Sequence, residues 1–107
     1  MTLDESVIQK IVDRVLSVTR PDKIILFGSA ATDQMTRDSD IDLLIVEPDT
    51  SDQREQYVRV RRALDDIRYP FDILFINTQW FEQSKDVIGG IAYPAHKYGK
   101  VIYDAAA

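Results

Sequence analysis

Residues 41–46, Ile-Asp-Leu-Leu-Ile-Val, restrict the fold of this chain more than any other segment. Side chains alternate along a strand, so Leu44 and Val46 continue the face on which Asp42 lies. The alternating residues Ile41, Leu43 and Ile45 fill the other face. Such a strand is apolar on both faces except at its entrance, where Asp40 and Asp42 lie side by side. This pattern predicts a buried strand within a sheet whose faces are covered by helices.

The remaining periodicities predict elements on either side of this strand. Helices are expected at about 3–18 and 51–68, strands at 23–27, 41–46 and 71–76, a short strand at 101–103, and a helical segment from about 79 to 97 that is interrupted at Gly89-Gly90 and Pro94. This order predicts an α/β (α+β) fold, with a small mixed β-sheet and helices packed on it. We expect a single domain over residues 1–107.

Composition excludes several classes of protein. The 107 residues contain 13 Lys and Arg against 18 Asp and Glu, a net charge of −5, and no cysteine. Direct nucleic-acid binding is therefore not expected as the main task, because such proteins are usually basic. Disulfides and thiolate metal sites are excluded. There is no apolar run of the ~20 residues that cross a bilayer and no signal-peptide pattern, so a cytoplasmic protein without a membrane segment is expected.

Three carboxylates and a Gly-Ser pair are predicted to meet at one edge of the sheet. The short connection from the first strand to the second favours an antiparallel pair, which brings Gly28-Ser29 to the edge where Asp40 and Asp42 lie. The helix at 51–68 lies between the second and third strands, as a crossover between parallel neighbours requires. Parallel strands begin at the same edge, so Asp72 is predicted to join the other two acids.

The chemistry of this edge fits nucleotidyl transfer. Like charges held close together resist ionising unless a cation lies between them. Mg²⁺ favours carboxylate ligands and keeps water and substrate phosphate in its other positions. Glycine lets the backbone approach a phosphate, and a helical turn over residues 29–36 would present amides to it. A triphosphate at Gly28-Ser29 and metals on Asp40, Asp42 and Asp72 would suit the two-metal scheme, in which one ion activates the attacking oxygen and the other stabilises the leaving pyrophosphate.

The helix at 51–68 carries five arginines, which admit two interpretations. They are Arg54, Arg59, Arg61, Arg62 and Arg68. They would steer a nucleotide or grip a partner, or they would form a solvated face supported by pairs such as Glu55 with Arg59, and the second interpretation is preferred. The inner face of this helix is predicted to contain Tyr57, Val60, Leu64 and Ile67.

The motifs resemble those of a known family. Ile24-Ile-Leu-Phe-Gly-Ser29 followed by Ser39-Asp-Ile-Asp-Leu-Leu-Ile-Val46 is similar to the minimal nucleotidyltransferase (MNT) family of the DNA polymerase β superfamily. The resemblance runs from about residue 3 to 103. It implies a polymerase-β-like palm that uses Mg²⁺ and a nucleoside triphosphate, usually ATP. Many such proteins are antitoxins of a HEPN-type partner, and some adenylylate a tyrosine of that partner.

Residue roles follow from the resemblance by position. Gly28 and Ser29 look like the phosphate-binding pair, and we place Ser39, next to the first acid, with them as a nucleotide-binding residue. Asp40 and Asp42 look like metal ligands. Asp72 looks like the third acid, which completes a metal site and helps to deprotonate the acceptor hydroxyl. The sequence also leaves room for an oligomer.

The loop after the Gly-Ser pair departs from the family pattern. Thr32 stands where an arginine is common, and Asp33 stands where a glycine is common. Losing a cation and gaining an acid near a triphosphate weakens nucleotide binding, and Arg37 or Lys23 are the candidates to replace that cation. Three hypotheses therefore stay open. The first is a transferase that places AMP on a hydroxyl group, and the short chain favours a protein as the acceptor. The second is a degenerate transferase that neutralises its partner by contact, and the third is a metal site with a structural role only.

Overall fold

The computed structural model describes residues 3–32, 34–36 and 38–107, and within them it contains four strands and four α-helices. In chain order these are α1 (Glu5–Leu16), β1 (Lys23–Phe27), a 3-10 helix (Gly28–Ala31), β2 (Ile41–Glu47), α2 (Gln53–Ala63), β3 (Phe71–Asn77), α3 (Thr78–Ser84), α4 (Ala92–Tyr98) and β4 (Lys100–Asp104). The predicted mixed α/β class and the order of its elements are confirmed.

The four strands form one mixed sheet in the order β3-β2-β1-β4. Strand β1 is antiparallel to both of its neighbours, β2 and β4, whereas β2 and β3 are parallel. The antiparallel first pair and the parallel second pair that the connections predicted are therefore both present. Strand β2 lies inside the sheet, so its backbone is held from both sides.

Helices cover both faces of the sheet and account for the apolar residues on both faces of β2. On one face, α1 and α2 pack over the strands with Ile11, Val15 and Val60, and Leu43 of β2 belongs to the same cluster. On the other face, Leu44 packs with residues of α3 and α4, including Phe81. Because every residue of β2 except Asp42 is buried, the position of its first residues is fixed by the core.

The first two helices are shorter than the sequence pattern predicted. Helix α1 starts after Asp4, whose carboxylate accepts a hydrogen bond from the Ser6 N–H at 3.1 Å. Helix α2 ends at Ala63 instead of at residue 68, because the chain must turn there to enter β3. Leu64 and Ile67 still reach the core, but from turns, with the Ile67 N–H donating to the Leu64 carbonyl at 3.1 Å.

Two side-chain and boundary predictions need correction. Tyr57 was expected on the inner face of α2, yet 39% of it is exposed, because it lies at the margin of the buried stripe that Val60 centres. Pro94 was expected to interrupt a helix, but it lies in the first turn of α4, where its missing N–H has no helical acceptor to lose. The predicted break at Gly89 and Gly90 is present, and both have positive φ.

Candidate active site

The register of the sheet brings the sequence-predicted acids together. Asp42 and Asp72 are direct neighbours across the parallel β2–β3 pair. Asp42 is also the partner of Phe27, the last residue of β1, across the antiparallel β1–β2 pair. Gly28 follows Phe27, so the Gly-Ser pair, Asp42 and Asp72 meet at one edge, as predicted from the connections.

Gly28 makes room for the Asp42 carboxylate. Its φ is +66°, in the left-handed region that side chains other than glycine rarely adopt. A Cβ at this position would overlap Oδ2 of Asp42. From the sequence, this glycine was predicted to serve a phosphate alone. Its close approach to Asp42 depends on a register that no local motif encodes.

The three carboxylates share one electrostatic environment. The pKa of Asp42 is raised above its usual 3.8, first by burial, then by the charge of Asp72, then by that of Asp40. Asp42 is half-buried, whereas Asp40 and Asp72 are exposed. Negative charge is therefore concentrated at this edge, a condition that a bound cation or a proton would relieve.

Ser39 stabilises the loop that leads to the acids. Its hydroxyl accepts a hydrogen bond from the Thr36 N–H at 2.9 Å and lies 3.1 Å from the Thr36 hydroxyl. Two residues later, the Ile41 N–H donates to the Pro70 carbonyl at 2.8 Å and ties the start of β2 to the start of β3. Ser39 therefore lies next to Asp40, and its hydroxyl stabilises the loop through its contacts with Thr36.

The chain after β1 forms a 3-10 helix of four residues, Gly28–Ala31, instead of the predicted helical turn over 29–36. The Thr32 N–H donates to the Ser29 carbonyl at 3.3 Å. Asp33 and Arg37, two residues of the altered loop, lie outside the described residues. Lys23, the other candidate cation, lies at the far end of β1, where its Nζ is 3.3 Å from Oε1 of Glu82. Lys23 therefore does not replace the family's arginine at this edge.

The residue types at the edge fit a divalent cation, although their side chains are not gathered into a ready-made set of ligands. Among residues 3–32, 34–36 and 38–107, no three His, Asp or Glu side chains are grouped closely enough to form such a set. The fit depends on the donor chemistry, which is oxygen only, and on the neighbouring charges of Asp72 and Asp40, which add to the effect of burial in raising the pKa of Asp42. Asp40, Asp42 and Asp72 are the residues that would hold such an ion.

A buried polar pair lies at the opposite end of β2, which runs one residue beyond the predicted strand 41–46. Its last residue, Glu47, is only 2% exposed and accepts a hydrogen bond from the Thr19 hydroxyl. Burial raises the pKa of Glu47. The strand alternation that continues past Val46 was the available signal. This pair is remote from Asp42, so it belongs to the fold and not to the site.

A comparison with protein families decides the assignment. The model of the polymerase β nucleotidyltransferase family matches residues 9–106, nearly the whole chain. This chain belongs to the polymerase β nucleotidyltransferase family. No curated protein matches it. No helix in the described part of this chain is long and apolar enough to cross a membrane.

Three of the solved structures that share this fold contain toxin–antitoxin complexes. A chain of a toxin–antitoxin complex with AMP-PNP matches with a TM-score of 0.70 and 19% identity, over 92% of this chain and 73% of that chain. A chain of a mutant MntA–HpeT toxin–antitoxin complex matches with a TM-score of 0.68 and 17% identity, over 92% of this chain and 73% of that chain. A chain of the complex between the tri-AMPylated Shewanella oneidensis HEPN toxin and an MNT antitoxin matches with a TM-score of 0.62 and 17% identity. This match covers 97% of this chain and 75% of that chain.

Proposed function

We propose that this chain transfers AMP from ATP to a hydroxyl group of a partner protein. The observation that carries the proposal is the register that sets Asp42 beside Asp72 and against Gly28. Membership in a nucleotidyltransferase family supports the class of reaction. The similarity in fold to a chain from a complex that contains AMP-PNP supports ATP as the donor, and the AMPylated HEPN toxin in a related complex supports a HEPN-type protein as the acceptor.

Each residue of the edge has a task in this reaction. Gly28 and Ser29 bind the triphosphate where the chain leaves β1, and Ser39 holds the neighbouring loop and contacts the nucleotide. Asp40, Asp42 and Asp72 hold Mg²⁺. When bound, Mg²⁺ neutralises phosphate charge and stabilises the leaving pyrophosphate.

Asp72 is the base for the acceptor. It is exposed at the start of the edge strand, where an incoming hydroxyl can reach it. The acceptor oxygen forms a bond to the α-phosphorus while the bond from that phosphorus to the bridging oxygen breaks. The hydroxyl proton passes to Asp72, and pyrophosphate leaves with the bonding electrons.

The test uses ATP labelled at either the α- or the γ-phosphate, together with Mg²⁺ and the protein encoded by the neighbouring reading frame. We expect label from the α-position, and none from the γ-position, to enter the partner. Asp42→Asn and Asp72→Asn should abolish transfer, whereas Asp65→Asn, an exposed acid outside the edge, should retain it. Transfer of the γ-label, or transfer that survives both substitutions, would contradict the proposal.

The second candidate function is a binding module that neutralises its partner by contact alone. Thr32 stands where relatives commonly carry an arginine, and Lys23 is engaged with Glu82 at the far end of β1. If the partner is inhibited without any label transfer, and Asp42→Asn leaves that inhibition intact, the binding module is correct and the transferase is wrong.

A further inference from the structure

The outer face of α2 is basic on a chain whose net charge is −5. Arg54, Val58 and Arg62 follow one another at intervals of four residues, so they share one side of the helix. Val58 is 42% exposed. The Arg59 Nη2 lies 2.6 Å from Oε1 of Glu55, which balances that arginine within the helix. A surface groove of about 540 Å³ runs along this side, lined by Ser51, Asp52, Arg54, Glu55, Val58, Arg59 and Arg62.

A second groove joins this helix face to the edge of the sheet. It has a volume of about 410 Å³ and lies between the N-terminal half of α2 and the middle of β3. Arg54 lines both grooves, so they form one continuous surface. Tyr57 contributes exposed apolar area on the α2 side of the sheet, at 39%. Leu74, 37% exposed, contributes it at the outer edge of β3, where its side chain lies on the opposite side of the sheet from Ile73 and Phe75. We call this surface the α2–β3 face; it consists of Arg54, Tyr57, Val58, Arg62 and Leu74.

The strand in this face has the properties of a pairing edge. Strand β3 is an outer strand of seven residues, and its register with β2 is unbroken from Phe71 to Asn77. The other outer strand, β4, has five residues, and its register with β1 shifts between Ile24 and Ile25. Bulges and short length protect edge strands from association, and β3 has neither. Of its outer backbone groups, the Phe71 carbonyl accepts a hydrogen bond from Arg61 at 2.9 Å.

We propose that the α2–β3 face binds a partner protein that presents acidic and apolar side chains to it. Arginine and tyrosine are enriched in protein interfaces and dominate their binding energy. The exposed apolar side chains require apolar contacts, and the arginines require carboxylates. An edge-to-edge dimer would set the arginines of one α2 beside those of the other, so like charges disfavour a second copy.

A nucleic acid fits this face less well than a protein. Asp52 and Glu55 line the same groove as the arginines, and Asp72 opens the strand at its side. Those carboxylates would repel a phosphate backbone. Tyr57, Val58 and Leu74 also offer apolar area that a backbone contact would not use.

This location has a consequence that depends on the proposed transferase function. Strand β3 begins one residue before Asp72, so a protein bound along the strand lies next to the acidic edge. Residues facing one another on neighbouring strands have Cβ atoms ~4.5–5.5 Å apart, which is within reach of a long hydroxyl-bearing side chain. The α2–β3 face would then hold the acceptor while Asp72 receives its proton.

The experiment measures binding of the protein encoded by the neighbouring reading frame to the full chain by calorimetry. Arg54→Glu combined with Arg62→Glu should raise the Kd at least about thirtyfold, the effect of losing a binding hot spot. Leu74→Glu tests the strand half of the face and should weaken binding in the same direction. The matched control combines Lys10→Glu with Arg68→Glu, which changes the net charge equally outside the face and should leave the Kd within about threefold.

Several outcomes would overturn the proposal. It fails if the control weakens binding as much as the test variant, or if the wild-type chain does not bind that protein. It also fails if a labelled single-stranded RNA competes for the face, or if sedimentation shows that the face instead forms a dimer of this chain. Binding that requires the face without any AMP transfer refutes only the transferase. AMP transfer with unchanged binding in the α2 variant refutes only the docking surface.

Discussion

Gly28→Ala separates the role of backbone conformation from the role of the Asp42 contact. The backbone at Gly28 has φ +66°, and alanine in this region costs about 1–2 kcal/mol. A domain of this size loses roughly 4–8 °C in Tm for each kcal/mol. The new methyl group would also overlap Oδ2 of Asp42 and displace that carboxylate. Because a shift of ~1 Å at a reacting centre can cost 10²-fold in rate, transfer should fall at least about a hundredfold.

Gly90→Ala is the matched control for that substitution. Gly90 has the same φ of 66°, but a Cβ there meets nothing within 4 Å. Both variants should therefore lose similar stability in urea denaturation, while only the Gly28 variant should lose labelled-AMP transfer. Normal transfer by Gly28→Ala, or an equal loss by Gly90→Ala, would refute the reasoning.

Three further substitutions test charge and burial. The pKa of Asp42 is raised in the folded state, so the contribution of its protonated form to stability is lost as the pH rises through that pKa. Asp42→Asn should flatten this pH dependence and raise the free energy of unfolding at neutral pH by less than about 1 kcal/mol. Urea denaturation across a range of pH measures both effects. Thr19→Val removes the donor to buried Glu47 and should cost about 1–3 kcal/mol at neutral pH, but less in acid, where Glu47 is protonated. In a chain that also carries Glu47→Gln, the cost of Thr19→Val should be the same at neutral pH and in acid. Calorimetric melting of the single and double variants at both pH values checks this expectation.

The central part of the fold was predictable because β2 leaves few alternatives. A segment that is apolar on both faces has to lie between two covering layers, and helical periodicity supplied candidates for both. Strand directions followed from connection lengths, which is why the meeting of Asp42 and Asp72 was predicted before the register was known. Their catalytic and metal-binding roles stay predictions that the labelled-ATP experiment tests.

The sequence could not predict features that depend on tertiary geometry. The end of α2 was placed five residues too late, because Leu64 and Ile67 keep helical spacing while they pack from turns. Tyr57 fits the buried stripe by spacing alone, but it lies at the margin of that stripe and stays partly exposed. The close approach of Gly28 to the Asp42 carboxylate similarly depends on the register between β1 and β2.

The most direct measurement is two-dimensional amide NMR of the isotope-labelled chain with Mn²⁺ as a paramagnetic substitute for Mg²⁺, followed by a non-hydrolysable ATP analogue with Mg²⁺. We expect Mn²⁺ to broaden the signals of residues around Asp40, Asp42 and Asp72. The analogue should shift the amides of Gly28 and Ser29, and Asp42→Asn should suppress both effects. Broadening centred on another acidic pair such as Asp65-Asp66, or an analogue that leaves Gly28 and Ser29 unchanged, would contradict the assignment of the nucleotide site.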